Sequence, residues 1–292
     1  MARTMNPKPQ TDKRDLRSRL LRLAVYLAAG ITALALLFII WYILVKGVPH
    51  LTPELFEPQY TSENVSLLPA LANTFFIAFL SLLFAVPVGI GAAIYLTEYA
   101  RRGNKLVGIV GVTAETLSGI PSIVYGLFGA LFFVKFLGFG LSLLSGALTL
   151  SIMILPLIMR TTEEALRSVP DSYREGSFGL GAGKLRTIFC IVLPCAVPGI
   201  LSGVILGIGR IVGESAALIF TAGTVAEVAD SIFSSARTLS VHMYAISGEG
   251  LYIDQTYATA VVLLVVVIVI NALSGFVAKK LGGGRADGQN YS

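Results

Sequence analysis

An arginine and a glutamate interrupt an otherwise apolar stretch of the sequence, "GRIVGESAALIFTAG". Arg210 and Glu214 are four residues apart, so one helix would carry both on the same face, where they can pair. Ionisable side chains are costly in a membrane-spanning segment and by default mark a function. The planar guanidinium of Arg210 suits an oxyanion such as phosphate. Two interpretations stay open: a pair that only neutralises charge, and a substrate path with Arg210 on it and Glu214 as its support or gate.

A second polar stretch, "REGSFGLGAGKLRTIFCIVLP", places three glycines at alternate positions directly before a lysine. A phosphate-binding P-loop requires G-x-x-x-x-G-K-[ST]. Here Phe178 stands where the first glycine belongs, and Leu185 stands where the hydroxyl belongs. A dinucleotide fingerprint needs a preceding strand, whereas this stretch follows charged residues. We therefore expect no ATP, and no other cofactor, to be bound by this chain.

Other candidate residues give weaker signals. His50 and His242 are far apart and lack metal-spaced partners, so no metal site is expected. No nucleophile with a base is evident, which argues against an enzyme, and no basic and aromatic interleaving indicates nucleic-acid binding. Glu115 lies near a kink predicted at Pro121 and is a candidate for a structural cap, a helix partner or a gate.

Composition indicates that lipid is the solvent for most of these residues. The 292-residue chain is 55% hydrophobic and 13% charged, whereas soluble domains carry about 25% charged residues. A helix needs about 20 apolar residues to cross the hydrocarbon layer, and six segments qualify. They are Leu23–Val45, Leu68–Tyr95, Leu106–Val134, Leu141–Met159, Ile188–Phe220 and Tyr257–Val277. The third and fifth exceed one crossing and contain prolines (Pro121; Pro194 and Pro198), so both are expected to be kinked or partly interfacial.

The basic residues predict the orientation. Eighteen of the 22 lysines and arginines fall in the amino-terminal tail, the connection after the second segment, residues 160–186 and the carboxy-terminal tail. Because cytoplasmic loops carry the excess of basic residues, both termini are predicted to be cytoplasmic. The expected organisation is a basic tail (1–22), a transmembrane permease domain (23–280) with a cytoplasmic segment at 160–186, and a disordered tail (281–292).

The cytoplasmic segment is predicted to be a short helix that starts near Pro170 and stops at the glycines, before the chain re-enters the membrane at Pro194. Its residues resemble the EAA motif of bacterial ABC importer permeases, a Glu followed by Gly and then I-x-L-P. Glu175, Gly181 and the stretch Ile191–Pro194 match at the family's spacings, while Gly176-Ser177 replaces the usual two alanines. The resemblance implies a coupling helix from Arg174 to Lys184 that docks on a cytoplasmic ATPase, with Glu175 contacting it and Gly181 permitting the bend.

Two further stretches, "NTFFIAFLSLLFAVPVGIGAAIYLTEY" and "AETLSGIPSIVYGLFG", resemble the PstA-type permeases of high-affinity phosphate importers. The resemblance covers about residues 73–278. It implies an all-α membrane protein with the six-helix type I ABC importer permease fold in the bacterial inner membrane. It also implies a heterodimer with a PstC-type permease, two ATPase copies that bind ATP and Mg, an extracytoplasmic phosphate-binding protein, and phosphate passage at Arg210 and Glu214.

Rival functions remain at this point. An ABC importer permease for sulfate, molybdate or a phosphonate would share the EAA motif. A secondary transporter would more often have additional spans and internal repeats, and would need no coupling segment. A channel would need a filter, and no repeated carbonyl-lined loop is evident.

Overall fold

Helices make up the regular structure in the computed structural model, which describes residues 12–100 and 105–282, with side chains for residues 18–100, 105 and 107–276. Within those ranges no strand occurs. In chain order the helices are α1 (Asp12–Gly47), α2 (Leu68–Ile94), α3 (Lys105–Ser118), α4 (Ser122–Gly129), α5 (Leu143–Arg167), α6 (Asp171–Gly179), α7 (Lys184–Thr187), α8 (Leu193–Val212), α9 (Ala216–Thr221), α10 (Leu239–Glu249) and α11 (Ile253–Gly282).

Tighter or wider helical turns extend several of these elements. Two 3₁₀ turns follow α1, at Val48–His50 and Pro53–Phe56. Wider π-helical turns continue α2 through Tyr95–Tyr99, continue α4 through Ala130–Phe136, and lead into α8 at Ile188–Val192. These turns lengthen the apolar helices enough for α2 with its extension to reach 32 residues.

Five described helices are long and apolar enough to cross a membrane, and a bent pair brings the number to six. The pair is α3 with α4 and its extension, whose axes differ by 103°. The break falls at Gly119-Ile120-Pro121, with the backbone of Pro121 extended at ψ 142° ahead of α4. The predicted kink at Pro121 is therefore confirmed, and it is a complete break in the helix.

The fifth predicted segment breaks at a different place from the one expected. Pro194 lies in the first turn of α8 and Pro198 inside it, and the helix continues past both to Val212. The interruption comes at Gly213–Ser215, before α9 begins. The interruption therefore lies after α8 and not at the prolines, while π-helical turns at Ile188–Val192 precede Pro194.

The helix α5 is the centre of the bundle, with α2 and α8 packed along it. Glycines permit this close contact: a side chain at Gly89 of α2 would collide with Ile158, and one at Gly203 of α8 would collide with Thr161. Small residues are expected at helix contacts in lipid, where backbones must approach closely. The main apolar core joins α2, α4, α5 and α9 around Leu150, Ile154 and Leu218.

The two ends of the bundle have separate smaller cores. At one end, where α2 finishes and α6 lies, Leu166, Val169 and Val192 pack together. At the other end, where α2 and α11 begin, Leu55 and Leu239 pack together with Leu67, Ala70 and Ala258. The second end also receives the long connection from α9 to α10.

The predicted tails meet the structure only in part. Residues 12–22 of the predicted basic tail continue α1 as helix, and α11 runs to Gly282. Residues 1–11 and 283–292 lie outside the described residues. The side of the membrane on which each terminus lies stays a prediction.

Candidate functional site

The predicted coupling segment is a helix, a bend and a return helix. Pro170 precedes α6 with an extended backbone, and Asp171 places an acid in its first turn, where the positive helix end favours it. The helix stops at Gly179, and Gly181 adopts a φ of +82°, a conformation that favours glycine. This order of elements confirms the prediction. Residues 160–167, the first part of the predicted cytoplasmic segment, form the last turns of α5.

A hydrogen bond between α6 and α7 stabilises the bend, and a groove lies on the surface beside it. The buried hydroxyl of Ser177 bonds that of Thr187 at 2.8 Å, which joins α6 to α7. A groove of about 570 Å³ opens beside this joint, lined by Tyr173, Leu180 and Arg186 among others, and Leu180 is 91% exposed. The side chain of Glu175 is exposed and belongs to none of the ion pairs found among the described residues. The surface of α6 is therefore open to another protein, while its inner side is fixed.

Arg174 fixes that inner side. Its Nε and Nη2 donate to one carboxylate oxygen of Glu98 at 3.2 and 2.8 Å, and the pair is largely buried. Its Nη1 and Nη2 also donate to the carbonyls of Val169 and Leu166, beyond and within the end of α5. Asp171 accepts a further bond at 3.2 Å. All three guanidinium nitrogens are thus engaged, and α6 is tied to the ends of both α2 and α5.

Lys184 also turns toward the end of α2. Its ammonium group lies 4.9 Å from the centre of the Tyr99 ring, within the range of a cation–π interaction. Of the four residues predicted to couple, Arg174 and Lys184 therefore contact this chain itself, and Glu175 faces outward. Sequence analysis missed Glu98. The available signal was an acid in "YLTEYARRGNK", at an end of the bundle predicted to be basic.

Arg210 and Glu214 do not share a helix. The helix α8 ends at Val212, so the four-residue spacing that predicted a common helical face does not apply. The Glu214 carboxylate accepts the backbone N–H of Ala217 at 3.0 Å and so caps the start of α9, while its carbonyl accepts the Ser240 hydroxyl at 2.5 Å. No ion pair joins Glu214 to Arg210 within 4.0 Å. Of the two interpretations left open, the charge-neutralising pair is therefore absent, because the helix ends before Gly213.

The half-buried Arg210 consequently has no carboxylate partner among the described residues. Sequence analysis also did not single out Tyr125, a buried residue of α4. The Tyr125 hydroxyl donates at 2.8 Å to the carbonyl of Leu117, one of the groups released where α3 ends. Tyr125 therefore joins α4 to the end of α3 across the break at Pro121.

Glu115 pairs across helices. Its carboxylate lies 3.4 Å from the Arg160 guanidinium of α5, and both side chains are exposed, Glu115 by 71%. Of the roles considered for Glu115, the structure favours a helix partner over a cap. No group of three or more potential metal ligands occurs in the part of the chain that is described.

Known proteins resemble this chain over most of its length. The probable ABC transporter permease protein YqgI of Bacillus subtilis is 34% identical over 263 residues, which is 84% of this chain and 89% of that protein. The phosphate transport system permease protein PstA 1 of Mycobacterium tuberculosis is 30% identical over 288 residues, which is 94% of this chain and 92% of that protein. The predicted resemblance to PstA-type permeases is confirmed.

Solved structures show the same fold. A bacterial alginate ABC transporter, crystallised with its pentasaccharide-bound periplasmic protein, matches with a TM-score of 0.66 at 18% identity, covering 92% of this chain and 97% of that one. The inward-facing MetNI methionine ABC transporter matches with a TM-score of 0.58 at 22% identity, covering 74% and 94%. The all-α type I importer permease fold is therefore confirmed.

Residues 85–283 match the family described as "Binding-protein-dependent transport system inner membrane component". That range contains the coupling segment as well as Arg210 and Glu214. The chain belongs to this family and is a multi-pass permease component of an ABC importer.

Proposed function

We propose that this chain is the PstA-type subunit of an ATP-driven importer and that it translocates inorganic phosphate across the inner membrane. The observation that carries the proposal is the guanidinium of Arg210, which pairs with no carboxylate in the described part of the chain, since Glu214 is engaged at the start of α9. A guanidinium binds phosphate through two parallel hydrogen bonds. Relatives that cover most of this chain are named phosphate transport permeases, which supports phosphate over sulfate, molybdate or a phosphonate.

The proposed assembly places four other subunits around this chain. A PstC-type permease would complete a heterodimer, and a PstC protein of Mesorhizobium japonicum is itself 30% identical over 80% of this chain. Two ATPase copies would bind ATP and Mg on the cytoplasmic side, where the groove beside α6 and the exposed Glu175 offer the contact surface. A phosphate-binding protein would deliver phosphate from the opposite side. Both termini would then be cytoplasmic.

The proposed mechanism is alternating access. Closure of the ATPase dimer on ATP would move α6, and Arg174 would pass that movement to α2 and α5 through its bonds to Glu98 and the α5 carbonyls. The spans would open outward, receive phosphate near Arg210, and return inward after hydrolysis. Each ligand drives its step only by binding one conformation better than the other.

Uptake of radiolabelled phosphate tests the proposal, in phosphate-starved cells that lack this chain and are complemented with wild type or variants. Arg210→Lys keeps the charge and loses the planar fork, so we expect uptake to fall at least tenfold while the ATPase still copurifies. Undiminished uptake by Arg210→Lys would refute the role of the fork. If wild type assembles but restores sulfate or molybdate uptake instead, the importer stands and phosphate is the wrong substrate.

Glu175 is tested separately by its effect on assembly. Glu175→Lys reverses a charge on the exposed face of α6, so we expect less ATPase to copurify and uptake to fall with it. Glu249→Lys is the matched control, because Glu249 is also exposed but lies at the end of α10. Equal copurification of the ATPase with both variants would remove Glu175 from the contact.

A further inference from the structure

A second arginine lies buried at the opposite end of the bundle from α6. Arg237 precedes α10 and is 5% exposed. Its backbone N–H donates to the carbonyl of Val225, and its own carbonyl accepts from the Asn73 amide of α2 at 3.3 Å. The guanidinium carbon lies 4.5 Å from the centre of the Tyr60 ring. The side chain is therefore held in a fixed place against an aromatic face.

The guanidinium has no acceptor for two of its nitrogens. Nε and Nη2 of Arg237 are buried and bond no described group, and Arg237 takes part in none of the ion pairs found there. His242, one turn into α10, is completely buried with both ring nitrogens unbonded, and its ring meets that of Tyr60 edge-on at 6.1 Å. Unsatisfied buried donors are costly, and a buried unpaired charge more so.

The two unbonded nitrogens, Nε and Nη2, form the edge of the guanidinium that binds oxyanions through two hydrogen bonds. Nε–H and Nη2–H point the same way and can donate to two oxygens of one anion. Arg174 shows this use within the same chain, since its Nε and Nη2 both donate to Glu98. At Arg237 the equivalent edge is free among the described residues.

The surroundings of Arg237 favour negative charge. The helix α10 begins two residues later, and its first turn contains no acid, so the positive end of the helix is uncompensated there. Tyr60 lies against both Arg237 and His242, and no described carboxylate lies within 4.0 Å of the Arg237 guanidinium. None of these side chains supplies a negative charge near neutral pH.

We infer that Arg237, His242 and Tyr60 form a binding site for a small inorganic oxyanion of the phosphate or sulfate type. The Nε–Nη2 edge donates two hydrogen bonds, the neutral His242 imidazole can donate a third, and the Tyr60 ring covers the guanidinium. Because the side chains of Arg237 and His242 are almost fully buried, the ligand must be small. The site uses a different arginine from the proposed phosphate path and does not depend on that proposal.

The site is connected to the α8–α9 break through α10. Ser240, two residues before His242, donates its hydroxyl to the Glu214 carbonyl. An anion at Arg237 would therefore stabilise the start of the helix that contacts the Glu214 connection. Because of this connection, the experiment must distinguish anion binding at Arg237 from anion binding at Arg210.

The test is thermal unfolding of the complete transporter complex in lipid nanodiscs at constant ionic strength, titrated with potassium phosphate, sulfate or chloride. We expect phosphate or sulfate to raise the Tm of the wild type and chloride to have less effect. Arg237→Met should weaken the apparent affinity at least tenfold, whereas Arg167→Met, at an exposed arginine, should leave it unchanged. Arg210→Lys should retain an Arg237-dependent rise.

Two results would overturn the inference. One is no anion-dependent rise in Tm, which means that water satisfies Arg237. The other is a rise that Arg210→Lys abolishes and Arg237→Met preserves, which assigns all binding to the proposed path. If Arg237→Met does not assemble, selenate-soaked crystals of the wild type decide the question: an anomalous peak at Arg237 Nε and Nη2 supports the site, and a peak only elsewhere refutes it.

Discussion

Arg174 and Arg237 are both largely buried, lie at opposite ends of the bundle, and differ in what fills the Nε–Nη2 edge. At Arg174 the chain supplies its own carboxylate from Glu98, so the arginine joins helices permanently. At Arg237 no described residue supplies one, and the guanidinium lies against the Tyr60 ring. Burial alone therefore does not define the role of an arginine. Arg174 links helices within the structure, whereas the Nε–Nη2 edge of Arg237 is available to a ligand.

The largest expected effect comes from breaking the tie at Arg174. Glu98→Ala leaves a buried guanidinium without its counter-charge, which typically costs about 3 kcal/mol. We expect the Tm of the complex to fall and ATP hydrolysis to continue without proportionate phosphate uptake. The measurement is unfolding together with the ratio of phosphate carried to ATP hydrolysed. A stable, fully coupled Glu98→Ala complex would contradict the assignment.

Lowering the pH should destabilise the folded protein because His242 is buried in its neutral form. Burial first, and then the neighbouring Arg237 charge, lower the pKa of His242 from 6.5 to about 3. Between these values the unfolded chain binds a proton that the folded chain does not, so the free energy of unfolding falls as the pH falls below 6.5. The loss is about 1.4 kcal/mol per pH unit, or about 2 kcal/mol at pH 5.

The control for this pH dependence is His242→Gln, which has no titrating ring. Its Tm should fall less steeply than that of the wild type between pH 6.5 and pH 5. Parallel curves for the two proteins would show that His242 is already charged or reaches solvent in the folded state. Added phosphate should flatten the wild-type curve, since a bound anion favours the protonated imidazole.

Arg237→Met should act in the opposite direction from Glu98→Ala. In buffer free of phosphate and sulfate, replacing a buried, unpaired charge by an apolar side chain should raise stability by about 1 kcal/mol. Chemical unfolding of the complex measures the change. A large loss of stability would mean that the Tyr60 contact outweighs the burial of the charge, and that Arg237 is a second structural tie.

The smallest effect is expected at an ion pair within one helix. Glu163 and Arg167 face each other one turn apart on α5, with side chains 19% and 64% exposed. Such pairs contribute about 0.3–0.5 kcal/mol, so Glu163→Ala should barely move the Tm. If it destabilised the complex as much as Glu98→Ala, burial would not be what distinguishes the tie at Arg174.

The sequence predicted most of the features that are determined by residues adjacent in the chain. The apolar segments, the break at Pro121 and the bend at Gly181 all follow from local residue types, and all are present. Glu98 and Arg174 are 76 residues apart, and spacing rules do not reach that far. The same limit hid the burial of Arg237 and His242, which depends on Tyr60 and α2. For Arg210 and Glu214 a local rule failed, because a helix period was applied across Gly213.

The hydrogen bonds of Arg174 also bear on how motion is shared inside the importer. One guanidinium joins the end of α2, the end of α5 and the start of α6, and α5 is the helix around which the bundle packs. With nine residues, α6 is a lever about 14 Å long, at about 1.5 Å per residue. The hydrogen bonds of Arg174 restrain how α6 can move relative to α2 and α5. We therefore expect a tilt of α6 to move the ends of α2 and α5 together.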